Sequence, residues 1–176
     1  MNKYLVITVI GADRPGLVEL LARTLAAYDA NWLESRMAKL AGRFAGMVEV
    51  DVPETNFGRL IATLEELKSE GLNVMVDTGL TEQAGDNYHQ VHLELVGQDR
   101  VGIVREISAA LARHGVNIEK LHTESVSASM SGETLFRAWA DLHVPNDIDK
   151  DELQQSLEVL ADELMVDINL ADQPAG

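Results

Sequence analysis

Leu5, Ile7 and Val9 recur at every second position, the pattern of a half-buried strand, and after Gly11 to Gly16 the spacing changes. Leu17, Leu20, Leu21, Thr24, Leu25 and Tyr28 then fall at helical intervals. Two further strands are predicted over 32–40 and 44–52, with Ala41-Gly42-Arg43 as the hairpin turn between them and Val48, Val50 and Val52 facing inward. A helix over about 56–70 presents Leu60, Ile61, Leu64 and Leu67 on one face and stops at Gly71, which suits a C-terminal cap before a strand at 73–78. The second half repeats the order: strand 88–97, helix 101–114, strands 117–128 and 133–144, helix 150–163 and strand 164–170. Asp149 and Glu152 have the spacing to cap the last helix.

The repetition extends to residue identity. Gly11-Ala12-Asp13-Arg14-Pro15-Gly16-Leu17-Val18 aligns with Gly97-Gln98-Asp99-Arg100-Val101-Gly102-Ile103-Val104 at an offset of 86, which also takes Leu25 to Leu111 and Asn31 to Asn117. Val52-Pro53 matches Val144-Pro145 at an offset of 92, so the second copy has a longer hairpin. The chain therefore reads as two domains, 1–81 and 88–170, joined by a polar linker at 82–87 and followed by a loose tail at 171–176. The order βαββαβ predicts an α+β fold of the ferredoxin-like kind, a four-stranded antiparallel sheet with two helices on one face. The other face stays open. It carries Val6, Thr8, Glu49 and Asp51 in the first copy, and His92, Glu94, Arg137, Trp139, Asp141 and His143 in the second.

Charge narrows the classes of function. The chain carries a formal −15 over 176 residues, −4 in residues 1–85 and −11 in 86–176, with no basic segment. Such a surface repels phosphate backbones and disfavours direct nucleic-acid binding. Without cysteine there are no disulfides, thiolate metal sites or thiol nucleophiles. The opening apolar run 4–10 is too short for a signal peptide, and no stretch reaches the roughly 20 apolar residues of a membrane span. A soluble cytoplasmic protein is expected.

The candidate chemistry lies in the repeated Gly-x-Asp-Arg-x-Gly loop. It precedes a helix whose first amides lack partners, so it can meet a carboxylate there while Asp13 or Asp99 meets an ammonium group. The glycine is expected near the third helical position. The same residues also serve a plain helix start, with Asp as N-cap and Pro15 in the first turn. Asn31 and Asn117 either face the loop or supply a left-handed turn before the next strand. The five histidines, 89, 92, 114, 122 and 143, have no metal-ligand spacing, although His92 and His143 are candidate neighbours on the open face. Ser125, Ser127, Ser129 and Ser131 read as a hairpin and lack an activating partner for nucleophilic chemistry. Neither a phosphate-binding glycine loop nor a cofactor site is present in the pattern. An enzyme is not expected.

With the βαββαβ order, Asp13-Arg14-Pro15-Gly16-Leu17-Val18 after the first strand and Gly115-Val116-Asn117-Ile118-Glu119-Lys120-Leu121 after the third helix, the chain resembles the ACT domain family of small amino-acid-binding regulatory modules. The resemblance implies a ligand site at a seam between domains, built from Asp13, Arg14, Pro15, Gly16, Leu17 and Asn31 and from Asp99, Arg100, Val101, Gly102, Ile103 and Asn117. The exchange of Pro15 for Val101 implies that the two loops are not equivalent. The implied ligand is a small amino acid, glycine foremost. The implied action is repression of transcription by binding a protein partner, a DNA-binding activator, with no direct contact to nucleic acid or membrane. A homodimer is expected because the sheet edges of such units pair. Two rivals stay open: a regulatory subunit of an amino-acid biosynthetic enzyme such as acetohydroxyacid synthase, and, more remotely, an acylphosphatase-like hydrolase using Arg14 with Asn31 or Arg100 with Asn117.

Overall fold

The computed structural model describes residues 1–78, 87–127 and 132–172. The chain divides into two compact units, Met1–Gln83 and Ala84–Gly176. In the first, β1 (Asn2–Ala12), α1 (Leu17–Ala26), β2 (Asn31–Leu40), β3 (Arg43–Pro53), α2 (Glu54–Glu66), a 3-10 turn (Leu67–Glu70) and β4 (Leu72–Thr78) follow one another. The second contains β5 (Tyr88–Gln98), α3 (Ile103–Arg113), β6 (Asn117–Ser127), β7 (Thr134–Pro145), α4 (Lys150–Leu164) and β8 (Val166–Asp172). Each sheet has four antiparallel strands, in the order β2-β3-β1-β4 and β6-β7-β5-β8. The ferredoxin-like order expected from the sequence is the one observed. Linker positions 82–86, Ser129, Ser131 and tail positions 173–176 lie outside the described residues, whereas Ala171 and Asp172 extend β8 and pair with His92 and Val91.

Burial explains why these elements form. Leu5, Ile7 and Val9 of β1 and Val48, Val50 and Val52 of β3 are all 0% exposed, and they share one core with Leu17, Leu20, Leu21 and Leu25 of α1 and Leu60 and Leu64 of α2. Since the inward residues of the two central strands share one core with residues of both helices, the helices cover the same face. The second core repeats the arrangement, with Val91, Leu93 and Leu95 against Ile107, Leu111, Leu153 and Leu157. Each of these leucines contributes on the order of 2–5 kcal/mol against truncation to alanine.

The second strand of each unit departs from simple alternation. A register shift between Trp32 and Glu34, and another between Ile118 and Lys120, leaves Leu33 and Glu119 as extra residues. The bulge lets Trp32 face the core opposite Val50 while Glu34 faces outward opposite Glu49. The first hairpin is a two-residue turn in which Ala41 and Gly42 both have positive φ, 49° and 74°, the geometry that matches strand twist. The 3-10 turn after α2 and the helix α4 each end in a left-handed cap, Gly71 at φ 85° and Met165 at φ 55°.

Met165 holds that conformation at the cost of a Cβ contact, and its side chain is 64% exposed, so it gives little packing in return. Met165→Gly should therefore raise unfolding stability by about 0.5–1 kcal/mol. Urea denaturation of the two proteins checks this, and a loss of stability would mean that Met165 packs in a way the burial does not convey.

Candidate ligand loops

The repeated motif is first of all a frame. Gly11 closes β1 opposite Leu72, and a Cβ there would stand 2.7 Å from the Gly71 carbonyl oxygen; at Gly97 it would stand 2.8 Å from that of Met165. The first glycine is thus required by the turn that leaves the second helix. The Asp13 amide donates to the Gly42 carbonyl at 2.9 Å and the Asp99 amide to that of Thr134 at 2.9 Å, tying the loop to the hairpin. Arg14 donates to the Glu70 carbonyl at 2.6 Å, and Arg100 to that of Glu163 at 3.3 Å. Glu70 ends the 3-10 turn that follows α2 and Glu163 lies in the last turn of α4, where unpaired acceptors and the negative end of the dipole favour a cation.

The last glycine sets the helix start. Gly16 and Gly102 are the N-caps of α1 and α3, left-handed at φ 91° and 103°, with no side chain bonded to the cap. This corrects the expectation of a glycine near the third helical position and of an aspartate cap: Asp13 and Asp99 are drawn to the hairpin instead, and Pro15 and Val101 precede the helix. The first-turn amides, at Leu17 and Ile103 onward, therefore lack a side-chain acceptor. A Cβ at either N-cap glycine would meet nothing within 4 Å, so the approach to these amides is open.

The two loops differ at one carboxylate. In the first unit the Lys39 ammonium forms an ion pair with Asp13, whose side chain is 28% exposed. In the second, the Ser125 hydroxyl donates to Asp99 Oδ2 at 3.0 Å. Lys39 and Ser125 hold the same ladder position, opposite Phe44 and Phe136. Among the described residues no cation pairs with Asp99. Reading the motif alone misses Lys39, although the offset of 86 already aligns it with Ser125.

Asn31 and Asn117 are not brought to the loop of their own unit. Asn31 begins β2 opposite Asp51, which also faces Tyr4, whereas the loop follows Ala12 at the other end of the sheet, about 27 Å away at the usual rise per residue. Asn117, opposite His143, is placed likewise. Neither supplies the left-handed turn, which falls to Asp29 at φ 55° and Gly115 at φ 68°.

On the open face of the second sheet, His92 faces Asp141 and not His143: its Nδ1 lies 2.9 Å from Asp141 Oδ1, with Lys120 Nζ 3.3 Å from the other oxygen. His143 bonds Glu119 at 2.9 Å. The hydrogen bond from His92, and the charge of Lys120 beside it, hold the Asp141 carboxyl below the usual carboxylate range against the opposing effect of burial. Among the described residues no three His, Asp or Glu are grouped to hold a metal, and no helix is long and apolar enough to cross a membrane.

Two outcomes follow from this geometry. Gly102→Ala should lose about 1–2 kcal/mol in urea denaturation, because its φ of 103° strains any Cβ. Asp141, depressed in the folded state, stabilises above its unfolded pKa, and that contribution is lost as pH falls through the folded value. The stability deficit of Asp141→Asn should be full at neutral pH and vanish in strong acid; a deficit independent of pH would contradict the assignment.

Residues 3–77 match one profile of the ACT domain and residues 91–162 match another. The glycine cleavage system transcriptional repressor of Escherichia coli (strain K12) is 25% identical over 163 residues, 92% of this chain and 85% of that protein. A UPF0237 protein from Methanopyrus kandleri is 37% identical over 89 residues, covering 49% of this chain and 93% of its own length. The crystal structure of an unknown protein from Galdieria sulphuraria superimposes with a TM-score of 0.88 at 31% identity, over 99% of this chain and 100% of that one. One named for the glycine cleavage system transcriptional repressor shares the fold, with a TM-score of 0.75 at 20% identity over 99% of each chain. The chain belongs to the ACT domain family, with two such domains in tandem.

Proposed function

We propose that this protein is a regulator without catalytic activity that senses a small amino acid, glycine foremost, at the Asp99 loop, and that it represses the glycine cleavage system indirectly by binding a DNA-binding activator protein. The observation that carries the reading is the unequal pair of loops. Both present uncapped helix amides to a carboxylate, yet Lys39 already fills the place of an ammonium group at Asp13. Ser125 leaves the Asp99 charge to be met by a ligand. A zwitterion then finds an acceptor at Asp99 and donors at the amides that begin at Ile103, on the same loop.

The repressor of Escherichia coli, similar over 92% of this chain, supports the named system. The formal charge of −15 supports action through a protein and not through DNA. An acylphosphatase-like reaction is disfavoured because Arg14 and Arg100 are engaged with helix-terminal carbonyls and are not presented to a phosphate.

Calorimetric titration with the common amino acids tests the sensing. Glycine or a close analogue should bind with a dissociation constant below about 10 mM, be lost in Asp99→Asn, and survive in Asp13→Asn. Ser125→Lys should reproduce the loss by supplying the missing cation internally. Binding that depends on Asp13 and not on Asp99 would reverse the assignment, and no binding at all would end the sensing role. Capture of partners from extract, with and without ligand, should return a DNA-binding protein; an amino-acid biosynthetic enzyme would favour the regulatory-subunit reading instead.

A further inference from the structure

The open face of the first sheet is divided along its strands into an apolar half and an acidic half. Met47 and Met75 flank Thr8, and Ile10 stands in the next row; the three are 50%, 66% and 47% exposed. One step the other way Glu49 and Asp77 flank Val6, and beyond them Asp51 faces Tyr4. Among the described residues no cation pairs with Glu49, Asp51 or Asp77, and Arg36, opposite Met47, pairs with Glu34 at 3.2 Å. Asp51 Oδ2 accepts from the Asn2 side-chain amide at 2.8 Å, while its Oδ1 is shielded from solvent and has no hydrogen-bond partner among those residues. At the matching row of the second unit, Asp141 is answered by His92 and Lys120. The second sheet satisfies its carboxylate internally, whereas the first leaves its own to be met from outside.

Geometry and charge select the guest. A strand would bond to a sheet edge through its backbone, but this face offers only side chains, so its guest presents side chains in rows as a helix does. Rows on one face lie about 7 Å apart, so the three steps from Ile10 to Tyr4 span roughly 20 Å, the length of about 13 helical residues. Where the two halves meet, Val6, Glu34, Ser35, Arg36, Met47 and Glu49 line a depression of about 150 Å³. Small-molecule sites begin at about 300 Å³, so this one suits a single anchoring side chain. Methionine surfaces adapt readily to apolar partners. A second copy of the chain is disfavoured by charge. The chain carries −15, and its other open face sets Glu94, Glu124, Asp141 and Asp167 against Lys120 and Arg137, so either face of a second copy would bring like charge to the acidic half.

We infer that the open face of the first sheet is a docking surface for a basic amphipathic helix of another protein, its apolar side chains over Ile10, Met47 and Met75 and its lysines or arginines over Glu49, Asp51 and Asp77. The surface deepens the proposed action through a protein partner and rests on that reading for the protein that supplies the helix. It uses no residue of the Asp99 loop.

The probe is a fluorescein-labelled peptide of about 14 residues, with leucines at helical spacing and lysines grouped at one end. Fluorescence anisotropy should show saturable binding to the full chain, with the dissociation constant raised about tenfold or more in Met75→Asp and in the double variant Glu49→Gln/Asp77→Asn. The double variant removes charge at nearly constant size, so it carries the test if Met75→Asp disturbs the fold. Glu94→Gln/Asp167→Asn takes the same charge from the second sheet and should leave binding unchanged. A peptide of the same composition with its leucines out of helical spacing should bind about tenfold more weakly or worse. The inference is overturned if no saturable binding occurs, or if the double variants of the two sheets weaken it equally, since the peptide would then follow overall charge. It is also overturned if sedimentation shows a wild-type dimer that Met75→Asp dissociates, since a second copy would then hold the face. Capture of a DNA-binding protein equally by wild type and Met75→Asp would keep the partner reading while removing this surface from it.

Discussion

Each unit depends on the pairing of its two central strands over a shared inner face. Leu5, Ile7 and Val9 lie across from Val50, Val48 and Gly46, and Val91, Leu93 and Leu95 across from Leu142, Ala140 and Ala138. A slip of one residue would turn each of these side chains to solvent, so the register is held by the whole core at once. Because alternate residues point the other way, the outer face is released from this demand. The two copies share an inner pattern while their outer faces diverge, one with Thr8 and Met47, the other with Glu94 and Trp139 at the same ladder positions.

The loop after each first strand is constrained differently. Its glycines, aspartate and arginine serve the frame, admitting the turn from the second helix, tying the hairpin and bonding the last carbonyls of that helix. A frame held at so many points leaves the amides at the start of α1 and α3 in a defined position, which is the preorganisation a weakly binding small molecule needs. Repetition of the motif thus reflects structure, and the electrostatic difference between the two loops is carried by a residue outside it. Lys39 against Ser125 changes the local charge by one unit without altering the backbone plan.

The acidic character of the second half acquires a location from the structure. Glu94, Asp141 and Asp167 stand on the open face, interleaved with Arg137, Lys120 and the histidines 92, 122 and 143. Opposite charges on neighbouring strands satisfy one another, as at His92 and Asp141, so the face is polar without being uniformly repulsive.

Periodicity and repetition in the sequence determined the element order, the two copies, the inward residues and the loop as the feature to examine. These are local or nearest-neighbour properties, since burial of one face imposes its period on the chain that covers it. The placement of Asn31 at the far end of the sheet, the bulges at Leu33 and Glu119, the left-handed Gly16 and Gly102, and the partners of Asp13, Asp99 and His92 were decided only by tertiary structure. Each of them depends on which residue of a distant strand or helix arrives alongside, and no period in the sequence records that. Lys39 and Ser125 show the difference most plainly: their alignment was present in the chain, but their meaning depended on a carboxylate 26 residues earlier being folded against them.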